Sequence, residues 1–364
     1  MSYPTSMSFV DDNKILLLEK NTGLVRLISD GVLQNKPVLK LPLLGIEVLH
    51  KNNNKTDVVN ANVFLYFTES DNKSSSNIRN DEQLSNKIYK YDWNGQSLIN
   101  PTLILDLPAI PGPYHNGSRL IFGPDRYLYT VVGDFGGPKT EAQNNKTGPP
   151  VDGTGGILRI TQDGKPVSDP PLGNKYPLNL YYASGIRNSF GIAFDPVNGK
   201  LWDTENGEDK YDEINMLKPG FNSGWSKIMG PLARNNSSDI SKSELVNFPG
   251  SYYSDPVFSW YHPVGITDIE FLKSSKLGEK YKNNIFVGDI NNGNLYYFKL
   301  NDTRTGLKFN LSGLKDLVAD NKIELFGITF VSGFRGITDI ETGPDGYLYI
   351  LSYFDGKLYR IVPG

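Results

Sequence analysis

Short runs of alternating apolar and polar residues recur along the chain, separated by turns rich in glycine, asparagine and aspartate. Residues 336–362 show the pattern clearly: GITDIE, a TGPDG turn, YLYILSY, and then FDGKLYRIV. Alternation bounded by PDG or NG turns predicts antiparallel strands joined as hairpins. Segments with helical periodicity are scarce, so the pattern predicts an all-β fold.

The hairpin pattern repeats along the sequence. GITDIE occurs at residues 265–270 and again at 336–341, and related strand–turn–strand segments occur at 119–134 and 192–207. We count six such units at an average spacing of about 60 residues, which predicts a six-bladed β-propeller with four-stranded antiparallel blades. We expect residues 1–364 to form this propeller as a single domain. The longest polar loops are expected at residues 71–85, 136–154, 168–177 and 235–254.

Composition narrows the choice of partners. The 364-residue chain has a formal net charge of -3, and because nucleic-acid binding normally needs a basic face, we expect no nucleic-acid partner. It has no cysteine, which excludes disulfides and thiolate chemistry. No run of 18 apolar residues occurs, so no membrane span is expected. Oligomeric state is not predicted.

Glycosylation sequons suggest where the protein works. There are eight: Asn54, Asn72, Asn116, Asn145, Asn235, Asn236, Asn301 and Asn310. Sequons of this kind are typical of surface loops in secreted proteins. We therefore expect a secreted glycoprotein in an extracellular, cell-surface or periplasm-like space, with its signal peptide absent from this sequence.

Residues 183–225 combine an anion-binding and a cation-binding pattern. Arg187 and Asn188 come first, and a cluster of acids interrupted by Gly207 follows one hairpin later: Glu205, Glu208, Asp209, Asp212 and Glu213. Carboxylates beside glycine, with free main-chain carbonyls, suit a hard cation such as calcium. A guanidinium suits a planar anionic ligand. The segment therefore predicts that a metal and an anion meet here.

His115 is the strongest candidate for a general base. It lies in the loop PGPYHNGSRLIFGPD, which leads into one of the repeat units. The ordinary pKa of histidine, near 6.5, suits proton abstraction at neutral pH. A surface histidine on a glycine- and proline-rich loop is the plain alternative.

Four motifs in order carry a resemblance to a known family. They are YHNGSRLIFGPDRYLYTVVGD, GGILRITQDGKP, SGIRNSFGIAFDPVNGKLWDTENG and DEINMLKPGFNSGW. The chain resembles the soluble quinoprotein glucose/sorbosone dehydrogenases, or aldose sugar dehydrogenases, over about residues 6–363. The resemblance implies a six-bladed propeller. It also implies oxidation of the C1 hydroxyl of a sugar by pyrroloquinoline quinone (PQQ), held by calcium, with electrons passed to an external acceptor.

The resemblance implies catalytic roles for individual residues. His115 matches the base that takes the proton of the sugar hydroxyl while hydride passes to the quinone. Arg187 and Asn188 match the pair that contacts the quinone oxygens, where a guanidinium would stabilise developing negative charge. Asp134 lies where members of the family contact substrate. Nearby aromatic residues, including Trp225, are more often packing residues than sugar-stacking ones.

The resemblance also implies metal ligands. Gly207 and Glu208 match the two positions whose main-chain carbonyls bind the active-site calcium. The family usually has proline at the second position, but any residue can supply a carbonyl. Asp212 and Glu213 match an acidic pair that holds a separate structural calcium in some relatives.

The sequence departs from the family at cofactor-binding positions. A lysine of the fifth unit is replaced by Asn291 or Asn292, and of the two arginines of the sixth unit only Arg335 is present, displaced. PQQ has three carboxylates, and a buried carboxylate without a cation or donors is costly. Thr267 and Thr338 are expected near the axis, where they offer donors but no charge.

Two alternatives stay open at this point. The first is a calcium-bound propeller that has lost the quinone site and acts as a carbohydrate- or ligand-binding or cell-surface protein. The second is a calcium-dependent lactonase, in which Asn188, Asn291 and Asp339 would converge on the metal.

Overall fold

The structure is a computed structural model that describes residues 1–41, 43–51, 61–70, 84–111, 115–117, 119–234 and 241–364. Outside the described residues lie the sequons at Asn54, Asn72, Asn235 and Asn236. Most of the predicted loop at 71–85 and the start of the one at 235–254 also lie outside them. No helix in the described ranges has the length and apolarity that a membrane crossing requires.

The first half of the described chain is built of strands. They are β1 (Pro4–Phe9), β2 (Lys14–Glu19), β3 (Leu24–Ser29), β4 (Val32–Leu33), β5 (Leu39–Lys40), β6 (Leu43–His50), β7 (Ala61–Ser70), β8 (Leu84–Trp93), β9 (Leu98–Pro108), β10 (Leu120–Phe122), β11 (Leu128–Val132), β12 (Gly156–Ile160) and β13 (Tyr181–Ser184). Short 3-10 turns occur at Glu141–Gln143 and Leu178–Leu180.

The second half continues in the same way. Its strands are β14 (Ser189–Phe194), β15 (Leu201–Glu205), β16 (Asp212–Leu217), β17 (Phe221–Asn222), β18 (Tyr252–Tyr253), β19 (Phe258–Trp260), β20 (Ile266–Phe271), β21 (Ile285–Asp289), β22 (Leu295–Phe298), β23 (Val318–Ala319), β24 (Thr329–Val331), β25 (Ile337–Thr342), β26 (Leu348–Ser352) and β27 (Lys357–Ile361). One α-helix, α1 (Lys322–Ile328), and 3-10 turns at Leu232–Arg234, Lys242–Glu244 and Ser312–Asp316 complete this part of the described chain.

These strands form six sheets within the described ranges. In chain order the sheets begin with β1, β6, β10, β14, β20 and β25, and neighbouring long strands pair antiparallel. The sheets contain between three and six strands rather than a uniform four. In the third and fourth sheets, two-residue strands such as β17 and β23 add to the edge in parallel, whereas the sixth sheet has three strands.

The sheets follow one another around a closed ring. Strand β1 contacts β6, β6 contacts β10, β11 contacts β14, β14 contacts β20, β20 contacts β25, and β25 contacts β1. A separate hydrophobic cluster fills each interface between neighbouring sheets. The predicted all-β propeller is confirmed. The space that the first strands enclose is called the axial channel below.

Strand β15 of the fourth sheet packs against the third sheet on one face and against the fifth sheet on the other. Side chains alternate between the faces of a strand, so Leu201 packs towards the third sheet while Trp202 packs towards the fifth, 6.1 Å from the ring of Phe271. Both faces are therefore apolar at one end of the strand. At the other end the third-sheet face carries Asp203 and Glu205, both fully buried. Polar residues at this end mark the candidate site.

Candidate functional site

The candidate site lies at the end of the propeller where β14 begins and β15 ends, called here the upper rim. Because β14 and β15 pair with Ser189 opposite Glu205, the chain before β14 lies beside the chain after β15. Asn206 donates its main-chain N–H to the carbonyl of Asn188 at 2.9 Å. The register thus places Arg187 and Asn188 next to Gly207.

Gly133 brings the His115 loop against the Arg187 loop. A Cβ at position 133 would lie 2.5 Å from the carbonyl oxygen of His115 and 2.8 Å from that of Arg187. Both distances are shorter than a carbon–oxygen contact allows, so only glycine permits this approach. The next residue, Asp134, donates its N–H to the Arg187 carbonyl at 2.9 Å and completes the junction.

His115 is held by a buried carboxylate. Its Nδ1 lies 2.5 Å from Oδ1 of Asp134, a residue that is 1% exposed. Oδ1 also accepts the main-chain N–H of Gly136, and Oδ2 accepts the indole N–H of Trp225 at 2.9 Å. Because a carboxylate only accepts hydrogen bonds, Asp134 favours the tautomer protonated on Nδ1. Nε2 then carries the free lone pair.

Arg187 joins this unit to the loop after β15. Its guanidinium carbon lies 5.3 Å from the ring centre of Trp225, within range of a cation–π contact. Nη1 donates to the carbonyls of Asn206 at 3.1 Å and Gly207 at 2.9 Å. Nε is buried and has no hydrogen-bond partner among the described residues. A buried unpaired donor is costly, so this nitrogen is suited to an acceptor atom of a ligand.

Buried acids lie behind Arg187. Glu205 accepts the main-chain N–H of Arg187 at 2.6 Å and the hydroxyl of Ser223 at 2.5 Å. Burial raises the pKa of Glu205 to about 7, against the lowering effect of the Arg187 N–H. Burial also raises the pKa of Glu213, whose carboxylate accepts the N–H of Gly230 at 2.5 Å. Glu213 is therefore a buried side chain of the fourth sheet and not a surface acid.

The predicted metal-binding residues are two loop positions that could supply main-chain carbonyls, Gly207 and Glu208, and two buried acids, Asp212 and Glu213. Gly207 is buried, and its carbonyl faces Arg187, whereas the side chain of Glu208 is exposed. The carboxylate of Asp212 accepts the N–H groups of Gly207 at 3.0 Å and of Val264 and Gly265 at 2.8 Å each. No group of three or more acidic or histidine side chains in the described chain is arranged to hold a metal. The loop at Gly207 and Glu208 therefore offers a cation main-chain oxygens rather than a group of carboxylates.

Comparison with known proteins identifies the family. Residues 1–360 match the family model described as glucose / sorbosone dehydrogenase. The chain belongs to the glucose/sorbosone dehydrogenase family. Aldose sugar dehydrogenase YliI of Escherichia coli (strain K12) is 25% identical to it, over 100% of this chain and 91% of its own length. Quinoprotein glucose dehydrogenase B of Acinetobacter calcoaceticus is 27% identical, over 63% of this chain and 51% of its own length.

Solved structures show the same fold. The soluble aldose sugar dehydrogenase of Escherichia coli, in its apo-form, superposes with a TM-score of 0.73 at 20% identity, covering 100% of this chain and 97% of that one. The PQQ-bound aldose sugar dehydrogenase of Streptomyces coelicolor superposes with a TM-score of 0.66 at 20% identity, covering 100% of this chain and 93% of that one.

The fifth and sixth sheets carry the other predicted cofactor-binding residues, Thr267, Asn291 and Arg335. Thr267 is buried, and its hydroxyl donates to the Ile337 carbonyl at 2.9 Å. Asn291 is exposed. The side chain of Arg335 is 71% exposed, with Nε 4.0 Å from Asp355. The structure brings His115, Asp134 and Arg187 together, whereas Thr267, Asn291 and Arg335 provide little fixed positive charge.

Two contacts, one in the site and one in the axial channel, have no clear sequence signal. The indole hydrogen bond from Trp225 to Asp134 joins residues 91 positions apart, and nothing local to either residue predicts it. Arg119, two residues after the described loop that carries His115, is buried in the axial channel against Asp339 at 2.7 Å. Asp339 also accepts the N–H of Met7 at 2.6 Å, so its carboxylate is engaged on both oxygens.

Proposed function

We propose that this protein is a sugar dehydrogenase that oxidises an aldose at C1 to the lactone, using PQQ and calcium, and passes the electrons to an external acceptor. The observation that carries the proposal is the hydrogen-bonded unit of His115, Asp134, Trp225 and Arg187 at the upper rim. A base oriented by a carboxylate beside a partly buried guanidinium suits removal of a hydroxyl proton next to an anionic acceptor. Family membership supports the same activity.

His115 is the proposed general base. With Nδ1 engaged by Asp134, Nε2 receives the proton of the sugar hydroxyl, and the Asp134 carboxylate stabilises the imidazolium that forms. The side chain of His115 is 17% exposed, so Nε2 can reach a ligand while the ring stays fixed. Asp134 acts through His115 and is a positioning residue in this scheme.

The residues around Arg187 fit the quinone. When bound, PQQ supplies the two-electron acceptor for the reaction. Arg187 offers its unpartnered Nε to a quinone oxygen, and Asn188 lies beside it. Thr267, Asn291 and Arg335 are proposed as further contacts to the cofactor; for Arg335 this requires its side chain to leave Asp355.

Calcium is proposed at the main-chain carbonyls of Gly207 and Glu208. Both are oxygen donors in a loop that Asp212 fixes through the N–H of Gly207. Asp212 and Glu213 are proposed at a second, structural calcium site. There Glu213 supplies a carboxylate, and Asp212 contributes mainly by holding the loop.

The wider architecture belongs to the same proposal. We infer that each of the six sheets is one blade and that residues 1–364 form one propeller domain, since each sheet interface has its own hydrophobic cluster. An extracytoplasmic location and use of the sequons stay predictions from sequence.

Reconstitution tests the function directly. The purified protein is titrated with PQQ in the presence and absence of calcium chloride, following cofactor absorbance, and dye reduction is then measured with a panel of aldoses. We expect reduction only with PQQ, calcium and an aldose together. His115→Ala should abolish it, whereas His262→Ala, at an exposed histidine, should not. Activity retained in His115→Ala would remove the base assignment.

A second function is favoured by one observation. The side chain of Arg335 is largely exposed beside Asp355, and Asn291 is exposed and uncharged, so a tricarboxylate finds little fixed charge on that side. A propeller that binds calcium and a carbohydrate without the quinone fits this arrangement. Calcium-dependent thermal stabilisation with no response to PQQ would support it over the dehydrogenase.

A further inference from the structure

Trp225 connects the proposed base with the proposed anion-binding residue, and it does so from a loop. It follows β17, and its indole N–H donates to Asp134 while its ring packs against Arg187. Its main chain is held by other loops: the N–H of Trp225 donates to the carbonyl of Gly185 at 3.1 Å. The residues that fix this main chain therefore set where the indole meets Asp134.

A pair of buried amides holds the carbonyl of Trp225. Asn144 is 0% exposed and Asn222 is 2% exposed, and each donates its side-chain N–H to the oxygen of the other at 2.9 Å. Nδ2 of Asn144 also donates to the Trp225 carbonyl at 2.7 Å. The main chain of Val246 and the N–H of Gly224 occupy the remaining positions. Both amides thus use two donors and two acceptor positions, the full set for this group.

The same pair contacts the chain that leads to Arg187. A Cβ at Gly185 would collide with Oδ1 of Asn222, so only glycine permits this approach. Gly185 also donates its N–H to the carbonyl of Ala142 at 2.7 Å. The amide pair and its loop therefore join the segment before Arg187 to the segment that carries Trp225.

Asn144 suits its position for two independent reasons. Its side chain makes the contacts above, and its φ of 59° and ψ of 27° lie in the left-handed region, which asparagine and aspartate enter more readily than most residues. Aspartate keeps the shape and this backbone preference, but its carboxylate has no N–H to donate. Asn144→Asp therefore removes the contact to Trp225 without removing the backbone conformation.

The path from Asn144 to the base has two steps. Asn144 holds the main chain of Trp225, and the indole of Trp225 donates to Asp134, whose other oxygen orients His115. We propose that Asn144, paired with Asn222, is a positioning residue for His115 that acts through Trp225, a role that rests on the proposed dehydrogenase activity. A displacement of about 1 Å at such a group costs on the order of 10²-fold in rate.

The indole N–H of Trp225 reports on this contact without any cofactor. The chain has four tryptophans, and the indole nitrogens of Trp93, Trp202 and Trp260 are buried with no hydrogen-bond partner among the described residues. Trp225 instead donates to a carboxylate, and charge-assisted hydrogen bonds of this kind are short and strong. Its indole proton should therefore lie furthest downfield of the four in a proton–nitrogen NMR spectrum, and Trp225→Phe assigns it.

Asn144→Asp tests the role in the cofactor-free protein and in dye reduction. We expect the Trp225 indole signal to move upfield, towards the other three. After reconstitution with PQQ and calcium, kcat should fall roughly tenfold or more, with a smaller change in KM. Asn284→Asp is the matched control, since Asn284 is also buried and bonds main-chain groups of Lys280 and Leu300. It should leave the indole signal and kcat unchanged.

A double variant shows whether the effect passes through the indole. In a Trp225→Phe protein, adding Asn144→Asp should lower kcat by less than about twofold further, because both changes break the same path. Fully additive losses would overturn the proposal. So would a folded Asn144→Asp protein that keeps the wild-type indole signal.

Two further outcomes are covered. If Asn144→Asp does not fold, Asn222→Ser breaks the amide pair from its other side and should move the indole signal in the same direction; an unmoved signal there overturns the proposal equally. If the wild-type protein reduces no dye with any aldose, the proposed function fails, and the indole signal alone then decides whether Asn144 positions Trp225.

Discussion

The carboxylate of Asp134 lies 2.5 Å from Nδ1 of His115 and 2.9 Å from the indole nitrogen of Trp225. One buried acid therefore fixes the orientation of the proposed base and of the ring that packs against Arg187. Orientation of this kind sets which imidazole nitrogen is free to accept a proton.

Asp134→Asn should lower kcat by about 10²-fold or more, because an amide can donate to Nδ1 and favour the wrong histidine tautomer. The expected signature is an altered pH–rate profile with a smaller change in KM. Asp209→Asn, at an exposed acid on the same rim, serves as control. An unchanged profile in a folded Asp134→Asn protein would contradict the positioning role.

Gly133→Ala should separate the His115 and Arg187 loops. The added methyl group would meet two carbonyl oxygens within 3 Å, so we expect a stability loss of about 1–3 kcal/mol. Activity should fall more steeply, by about 10²-fold for a displacement near 1 Å. At Gly137 a Cβ meets nothing within 4 Å, so Gly137→Ala should retain activity. Equal behaviour of the two variants in urea unfolding and dye reduction would refute this account.

Arg187→Gln should raise the affinity for calcium measured without PQQ. The guanidinium lies on the Gly207 carbonyl, where it repels a second cation. We expect roughly tenfold tighter calcium binding by calorimetry, and weaker PQQ binding, since the anion loses its partner. Arg187→Lys keeps the charge and should show a smaller effect. If neither the wild type nor Arg187→Gln binds calcium, the assignment of the metal site is wrong. If both bind calcium with equal affinity, only the proposed repulsion by Arg187 is rejected.

Stability should depend on pH through Glu47. Burial raises its pKa from 4.5 to about 7, so the folded state holds the proton more tightly than the unfolded state. The free energy of unfolding should therefore fall as pH rises from about 4.5 to 7, by up to about 3 kcal/mol from this group. Urea unfolding at several pH values should show a shallower slope for Glu47→Gln, while Glu244→Gln, at an exposed acid, keeps the wild-type slope.

Arg119→Met should be strongly destabilising. It leaves the buried Asp268 and Asp339, and the partly exposed Glu341, without their cation; breaking a buried pair typically costs about 3–5 kcal/mol. The loss should shrink at lower pH, where the acids are protonated. Arg234→Met removes a more exposed pair with Asp320 and should cost at most about 1 kcal/mol. Similar losses in the two variants would show that the channel contacts contribute little.

Much of the fold was predictable because hairpins are local. The repeats at 265–270 and 336–341 are observed as the matching strands β20 and β25, since alternation and turn residues within a few positions determine each hairpin. The added edge strands were not predictable. Strand β23 pairs with β19 through residues 59 positions apart, and two-residue pairings carry no periodic signal.

The sequence by itself determined the strand pattern, the family motifs and the candidates His115, Arg187 and Gly207. Tertiary structure alone decided that Asp134 and Trp225 complete the site, that Arg335 turns to the surface, and that three acids share the channel with Arg119. The physical reason is that the Arg119 contacts join different sheets, and that the Asp134–Trp225 contact joins loops 91 positions apart in the chain. Their geometry depends on how the ring closes, which no stretch of neighbouring residues encodes.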